Sequence, residues 1–255
     1  MKRQIPNVIT LLNFLCGVLS VVALLLWKEP VWASCFIICG AIFDFFDGMT
    51  ARALKVSGAI GKELDSLADV VSFGVAPSLI AVNLLLENQC NYDFLRWGNG
   101  LICYLPLFMA IMSCYRLAKF NIDTRQTLSF IGLPTPANAL IWLSVPIINY
   151  LQANTIVLWG INSLNFHNFL HSIMNNPYFI IILSMVMGVL LVSEVPLFAL
   201  KFKNLSWQDN KIKFIFLSFS LLFVILFNFY AIPFIILFYI LLSLINNFIK
   251  KEQNH

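Results

Sequence analysis

Four aspartates, Asp44, Asp47, Asp65 and Asp69, lie close together in a chain that is otherwise poor in acid. The chain has 12 acidic residues in 255, and Glu63 joins those four between residues 44 and 69. The text runs Asp44-Phe-Phe-Asp47-Gly48-Met-Thr-Ala51-Arg52 and, after eight further residues, Gly61-Lys-Glu-Leu-Asp65-Ser-Leu-Ala-Asp69. On helices, Asp44 and Asp47 at i, i+3 share one face, and so do Asp65 and Asp69 at i, i+4. Two such pairs brought together would repel each other and be costly to take out of water. Divalent cations offset both penalties. All-oxygen ligation suits Mg²⁺ or Mn²⁺, and no thiolate or imidazole set of the kind zinc favours is nearby. Four aspartates can hold two such ions and leave positions open for phosphate oxygens. Gly48 and Ala51, a turn apart, would let a flat ligand or another backbone come close, and Gly61, one turn before Asp65, could do likewise. Arg52 is placed to meet a phosphate.

The elements that must carry these residues follow from composition. Hydrophobic residues make up 60% of the chain and charged residues 11%, against about 25% charged in an ordinary globular domain. Mean hydropathy is +0.85. This excludes a soluble domain and a disordered chain, and predicts an all-α, polytopic membrane bundle forming one domain over residues 1–255. A nucleic-acid partner is not expected: the net charge is +4 and the basic residues are scattered. The six cysteines form no CxxC pair and predict no disulfide framework. A bilayer core of about 30 Å needs about 20 apolar residues per helix. Eight runs qualify, at roughly 8–27, 31–51, 63–86, 99–117, 134–151, 178–198, 213–229 and 232–249. Pro134, Pro136 and Pro146 predict irregularity in the fifth. The last two are separated only by the Phe229–Pro233 stretch, but together are nearly twice a bilayer thickness. The first run leads straight into the second and reads as a span, not a removed leader.

The basic residues orient the bundle. With the N-terminus inside and each run reversing direction, only Lys28 and Arg96 of the 16 Lys and Arg residues fall outside. The 151–177 segment, read as an outer loop, has none. Such asymmetry is the positive-inside pattern, so an even count with both termini in the cytoplasm is predicted. Asp44 and Asp47 then lie near the cytoplasmic end of the second run, and Asp65 and Asp69 at the cytoplasmic start of the third. Asp44 precedes Arg52 by eight residues, so it lies about 12 Å further in along a helix rising 1.5 Å per residue.

Residues 44–69 match, at every fixed position, the signature Asp-x2-Asp-Gly-x2-Ala-Arg, seven or eight residues, Gly-x3-Asp-x3-Asp. At these residues the sequence resembles the CDP-alcohol phosphotransferase family. The resemblance implies a membrane enzyme that moves a phosphatidyl or similar group from a CDP-linked donor to an alcohol and releases CMP. It implies Asp44, Asp47 and Asp65 as metal ligands, and Asp69 as general base with a share in metal binding. It places Gly48, Ala51 and Arg52 at the CDP moiety. Further stretches narrow the acceptor: Ser113-Cys-Tyr-Arg-Leu-Ala-Lys-Phe-Asn121, Phe130-Ile-Gly-Leu-Pro-Thr-Pro-Ala-Asn-Ala139, Ser72-Phe-Gly-Val-Ala-Pro77 and Ile5-Pro-Asn-Val-Ile-Thr-Leu-Leu-Asn13. Together these are similar to the integral-membrane phosphatidylserine synthase branch, most fully over about the first 140 residues. That likeness implies CDP-diacylglycerol and L-serine as substrates, a bacterial inner membrane, a cytoplasmic-facing site, membrane lipid as surroundings and room for a homodimer.

Serine is a zwitterion and its carboxylate needs a cation. Arg116 and Lys119, i, i+3 at the end of the fourth run, are candidates for acceptor or phosphate contact, with topology as the competing role. For Arg125 topology suffices. Asn7, Thr10 and Asn13, spaced by three, line a nucleotide pocket or form a polar stripe between helices. Two other readings stand beside serine transfer: the same chemistry on glycerol-3-phosphate or an inositol phosphate, and an ion or proton transporter built on intramembrane carboxylates. A transporter has no evident use for Gly48, Ala51 and Arg52. His167 and His171 are read as solvated loop residues, Cys35 and Cys39 as packing, and Glu194 as neutral or interfacial.

Overall fold

The computed structural model describes residues 4–56, 58–122, 130–154, 164–198 and 207–253. Ten α-helices are present among them: α1 (Gln4–Val22), α2 (Pro30–Ala53), α3 (Ala59–Asp69), α4 (Ala76–Asn88), α5 (Leu107–Ile122), α6 (Thr135–Ala153), α7 (Leu164–Met174), α8 (Pro177–Val192), α9 (Trp207–Phe227) and α10 (Ala231–Gln253). The chain is an integral membrane protein built as an all-α bundle. Among the described residues, the stretches Gln4–Trp27, Pro30–Ala53, Ala59–Asn88, Asp93–Ile122 and Asn210–Asn247 are long and apolar enough to cross a bilayer. Of the predicted inner charges, Lys2, Arg3, Arg125, Lys201 and Lys203 lie outside the described residues.

Each of the eight apolar runs has its helix, but several differ from the sequence reading. The first run ends in a π turn, Ala23–Trp27, closed by Lys28 in the left-handed region. Pro30 then opens α2 at a helix start, where its missing N–H costs nothing. The third span is continuous from Ala59 to Asn88 but contains a π turn at Val70–Val75. Pro77 gives a physical reason: inside a helix its ring would clash with the carbonyl four residues back, and a π turn relieves this. The fifth run is more regular than its prolines predict. Pro134 and Pro136 fall at the start of α6, where proline is tolerated, and only Pro146 lies in its interior.

The segment read as an outer loop holds α7, which meets α8 at a 63° bend. Asn176 caps α8 by accepting from the N–H groups of Tyr178 and Phe179 at 3.0 and 3.4 Å. The sixth run leaves the helix at Val192, earlier than its hydropathy indicates. Its last residues instead form β2 (Pro196–Leu197), which pairs antiparallel with β1 (Phe130–Ile131). This is the one departure from all-α structure among the described residues. The Asn210–Asn247 stretch is broken at Asn228–Tyr230, where Asn228 has φ 57°. Ring contacts show that it folds back. Phe223 meets Phe234, Phe219 meets Phe238 and Phe216 meets Tyr239, so the partner number rises as the first falls. Helices α9 and α10 are therefore an antiparallel hairpin, as the two-run reading requires.

The core lies around α4, α6 and α8, with Phe73, Ile80, Leu85, Trp142, Leu143, Ile148 and Ile180 all buried. Leu11, Leu15, Leu221 and Ile225 point outward, which is favourable for side chains facing acyl chains. All six cysteines are free.

Candidate active site

Helix α1 packs on both α2 and α3, and the aspartates of α2 and α3 come together beside it. One carboxylate oxygen each from Asp44, Asp47 and Asp65 falls within 4.8 Å of the others. Asp44 and Asp47 come from one face of α2, and Asp65 from α3. Asp69, one turn beyond Asp65, stands outside this triad but its carboxyl group meets that of Asp44. The donor set is all oxygen and carries several negative charges, and among the described residues no Lys or Arg forms an ion pair with it. Such a set suits a hard divalent cation, so the residues present fit a metal site of the kind the spacing predicts.

Helix α1 holds these carboxylates in place. The Thr10 hydroxyl donates to Asp47 Oδ2 at 2.6 Å, and Thr10 is buried. Asn13, fully buried, donates its Nδ2 to Asp69 Oδ1 at 3.3 Å. The Asn13 carbonyl accepts from the Ser72 hydroxyl at 3.0 Å. Asn13 therefore ties α1 both to Asp69 and to the π turn that follows it. The backbones touch here: a Cβ on Gly17 would lie 2.9 Å from both the N and Cα of Ser72. Only glycine permits that approach.

Beside the triad is a cavity of about 600 Å³, within the range of small-molecule sites. Asn7, Thr10, Asp47, Gly48, Ala51, Gly61 and Asp65 all line it. Nothing lies within 4 Å of a Cβ built on Gly48, whereas one on Gly61 would meet Asn7 Oδ1 at 3.1 Å. Arg52 is exposed at the end of α2 and does not line this space. Lys62, which sequence reasoning used only for orientation, does line it. Its one legible signal was its place next to Gly61.

Arg116 and Lys119 lie elsewhere. With Ile131, Leu191 and Ser193 they border a space of about 10 Å³. Arg116 is buried, its Nε has no partner among the described residues, and its charge is felt at Asp69. Lys119 pairs with Glu194 at 3.4 Å, so Glu194 has a partner that the sequence reading did not give it. Asn121 was also missed. It donates to Glu63 Oε2 at 3.3 Å and to Ser66 Oγ at 2.9 Å, and its carbonyl accepts from Lys62 Nζ at 2.6 Å. It thus locks the start of α3 to the end of α5. The only hint in the sequence was its place closing the 113–121 stretch. His171 is half-buried on α7, and the side chain of His167 lies outside the described residues.

An all-α membrane bundle with an aspartate triad beside an open cavity defines a class of membrane enzyme whose acidic cluster suits a divalent cation. The chain matches the CDP-alcohol phosphatidyltransferase family over residues 3–245, and it belongs to that family. It is 35% identical over 235 residues to a CDP-diacylglycerol–serine O-phosphatidyltransferase of Helicobacter pylori (strain J99), covering 86% of this chain and 94% of that one. A protein of the same name from Bacillus subtilis (strain 168) is 42% identical over 134 residues, covering 52% of this chain and 70% of the relative. One from Methanocaldococcus jannaschii is 32% identical over 201 residues, covering 77% and 87%.

Proposed function

We propose that this protein transfers the phosphatidyl group of CDP-diacylglycerol to the hydroxyl of L-serine, forming phosphatidylserine and CMP. The observation that carries the reading is the Asp44–Asp47–Asp65 triad opening on a cavity edged by Gly48, Ala51 and Gly61. The names of the relatives support serine as acceptor.

Asp44, Asp47 and Asp65, with Asp69 at their edge, would hold two divalent ions, Mg²⁺ or Mn²⁺. When bound, these neutralise charge on the diphosphate oxygens and on departing CMP. The chain's own residues do the rest. Thr10 fixes one oxygen of Asp47 and with it the orientation of the carboxylate in the site. Asp69 accepts the proton of the serine hydroxyl as that oxygen bonds to the β-phosphorus, and Asn13 holds the Asp69 carboxyl group in place. Gly48, Ala51 and Gly61 leave room for the nucleotide, with Asn7 and Thr10 along its wall. Lys62, with Arg52 at the rim, supplies positive charge toward the donor. Arg116 and Lys119 receive the serine carboxylate. The whole chain is one membrane-embedded domain in a bacterial cytoplasmic membrane. Its termini and site face the cytoplasm, where the CDP moiety and serine are dissolved.

The test is product analysis with purified protein, CDP-diacylglycerol and labelled serine, glycerol-3-phosphate or inositol in turn. Phosphatidylserine and CMP in equal amounts are expected with serine. Another phospholipid product would move the acceptor assignment, and no CMP release with any alcohol would reject the enzyme reading.

A further inference from the structure

Helices α9 and α10 contribute nothing to the aspartate triad or to the cavity beside it. They do hold the Ser193–Phe198 segment that follows α8. The Tyr239 hydroxyl donates to the Phe198 carbonyl at 2.9 Å, and the Tyr239 ring meets those of Phe198 and Phe216 at 4.9 and 5.6 Å. Two turns on, Asn247 Nδ2 donates to the Pro196 carbonyl at 2.6 Å. The opposite edge of the segment is tied as firmly. Beyond the β1–β2 pairing, Gly132 N donates to the Val195 carbonyl at 3.0 Å. Gly132 has φ 76°, and a Cβ there would lie 2.6 Å from the Leu191 carbonyl oxygen, so only glycine lets the strands close.

Directly before these held residues, Glu194 reaches Lys119. Leu191 and Ser193 close against Arg116 around a space with room for about one water. Arg116 is buried with its Nε unpartnered, and Tyr239 lies within its electrostatic range. A partly exposed ion pair such as Lys119–Glu194 adds little stability. Its geometric effect is larger, because it fixes the end of a flexible side chain that would otherwise sweep through solvent.

We infer that the C-terminal hairpin is a clamp for the acceptor side of the site. Tyr239 is a positioning residue that fixes the Ser193–Phe198 segment and, through Glu194, the ammonium group of Lys119. This rests on the assignment of Arg116 and Lys119 to the acceptor. Tyr239→Phe keeps the ring packing and removes the hydroxyl. In the intact protein with Mg²⁺, this variant is expected to raise the KM for serine about fivefold, the scale of one net hydrogen bond. The KM for CDP-diacylglycerol and kcat are expected to hold. Combined with Lys119→Met, Tyr239→Phe is expected to add no further rise, because the two act in series. Independently of turnover, amide exchange at Phe130–Leu133, Val195 and Leu197 is expected to quicken, while that of 59–88 does not. An unchanged serine KM, an equal rise in both KM values, full additivity with Lys119→Met, or unchanged exchange overturns the clamp. A wild type that makes no phosphatidylserine overturns the serine assignment instead. In that case amide exchange still decides the clamp.

Discussion

Thr10 spends its hydroxyl proton on Asp47 Oδ2 at 2.6 Å, and this restricts how the carboxylate can turn. Groups that orient metal ligands from behind commonly govern affinity by 10- to 100-fold. Thr10→Val keeps the shape and deletes the donor. It is expected to raise the Mg²⁺ concentration for half-maximal activity at least about tenfold, with the serine KM unchanged. A metal titration of activity checks this. Asp69→Asn tests a different step. The amide keeps the contact with Asn13 but cannot accept the serine proton, so turnover is expected to fall by about 10²- to 10⁴-fold while bound CDP-lipid is retained. Equilibrium binding of labelled donor beside CMP release separates the two effects. Gly48→Ala should leave thermal unfolding unchanged, since nothing lies within 4 Å of the new methyl. It should raise the donor KM by crowding the cavity. The aspartates were legible in sequence because a carboxylate in an apolar helix is costly and so stands out. The partners of Thr10 and Asn13 were not, because they depend on how α1 is rotated against α2 and α3. The cavity-facing position of Lys62 was hidden for the same reason.

Between Asp69 and Ala76 the third span widens into a π turn, directly after the residue whose carboxyl group Asn13 holds. The turn is wedged between helices. Ser72 reaches back to the Asn13 carbonyl, and on the far side a Cβ on Gly74 would lie 2.9 Å from Ser113 Cβ. Gly17→Ala forces a methyl against the backbone of Ser72, which cannot rotate away. Overpacking of this kind costs about 1–3 kcal/mol. The variant is therefore expected to unfold at lower temperature and to lose turnover disproportionately, because the push lands three residues from Asp69. Thermal unfolding in detergent and kcat measured on the same preparation check this. Gly48→Ala, a methyl added where nothing lies within 4 Å, is the control expected to leave both unchanged at saturating donor. Hydropathy located a helix in every apolar run but could not show the π turn, since a window average is blind to one extra residue per turn. Pro77 was the available signal. The same averaging ran the sixth span past Val192, because Val195, Leu197 and Phe198 are apolar for another reason: they pack against the α9–α10 hairpin and the 130–133 segment.

At the scale of the whole molecule, the arrangement of spans decides which compartment meets the aspartates. The α9–α10 hairpin counts as two crossings in the eight-run reading, where a single long helix would count as one and put the two termini on opposite faces. Ring pairs down the hairpin settle its fold. The side of the membrane rests on charge: Arg52, Lys55 and Lys62 fall around the turn between α2 and α3, while Lys28 and Arg96 fall at the opposite ends of the first and third spans. The Ala59–Asn88 span separates Lys55 from Cys90, both of which are exposed. Two single-cysteine variants therefore read the orientation directly, one keeping only Cys90 and the other carrying only Lys55→Cys. In spheroplasts an impermeant maleimide is expected to label Cys90 at once, and Lys55→Cys only after permeabilisation. The opposite pattern would invert the molecule and expose the carboxylate cavity to a compartment without CTP-derived donors. Labelling of both from outside would mean that residues 59–88 do not cross, and Asp65 and Asp69 would then have no bilayer against which to present a lipid-linked substrate.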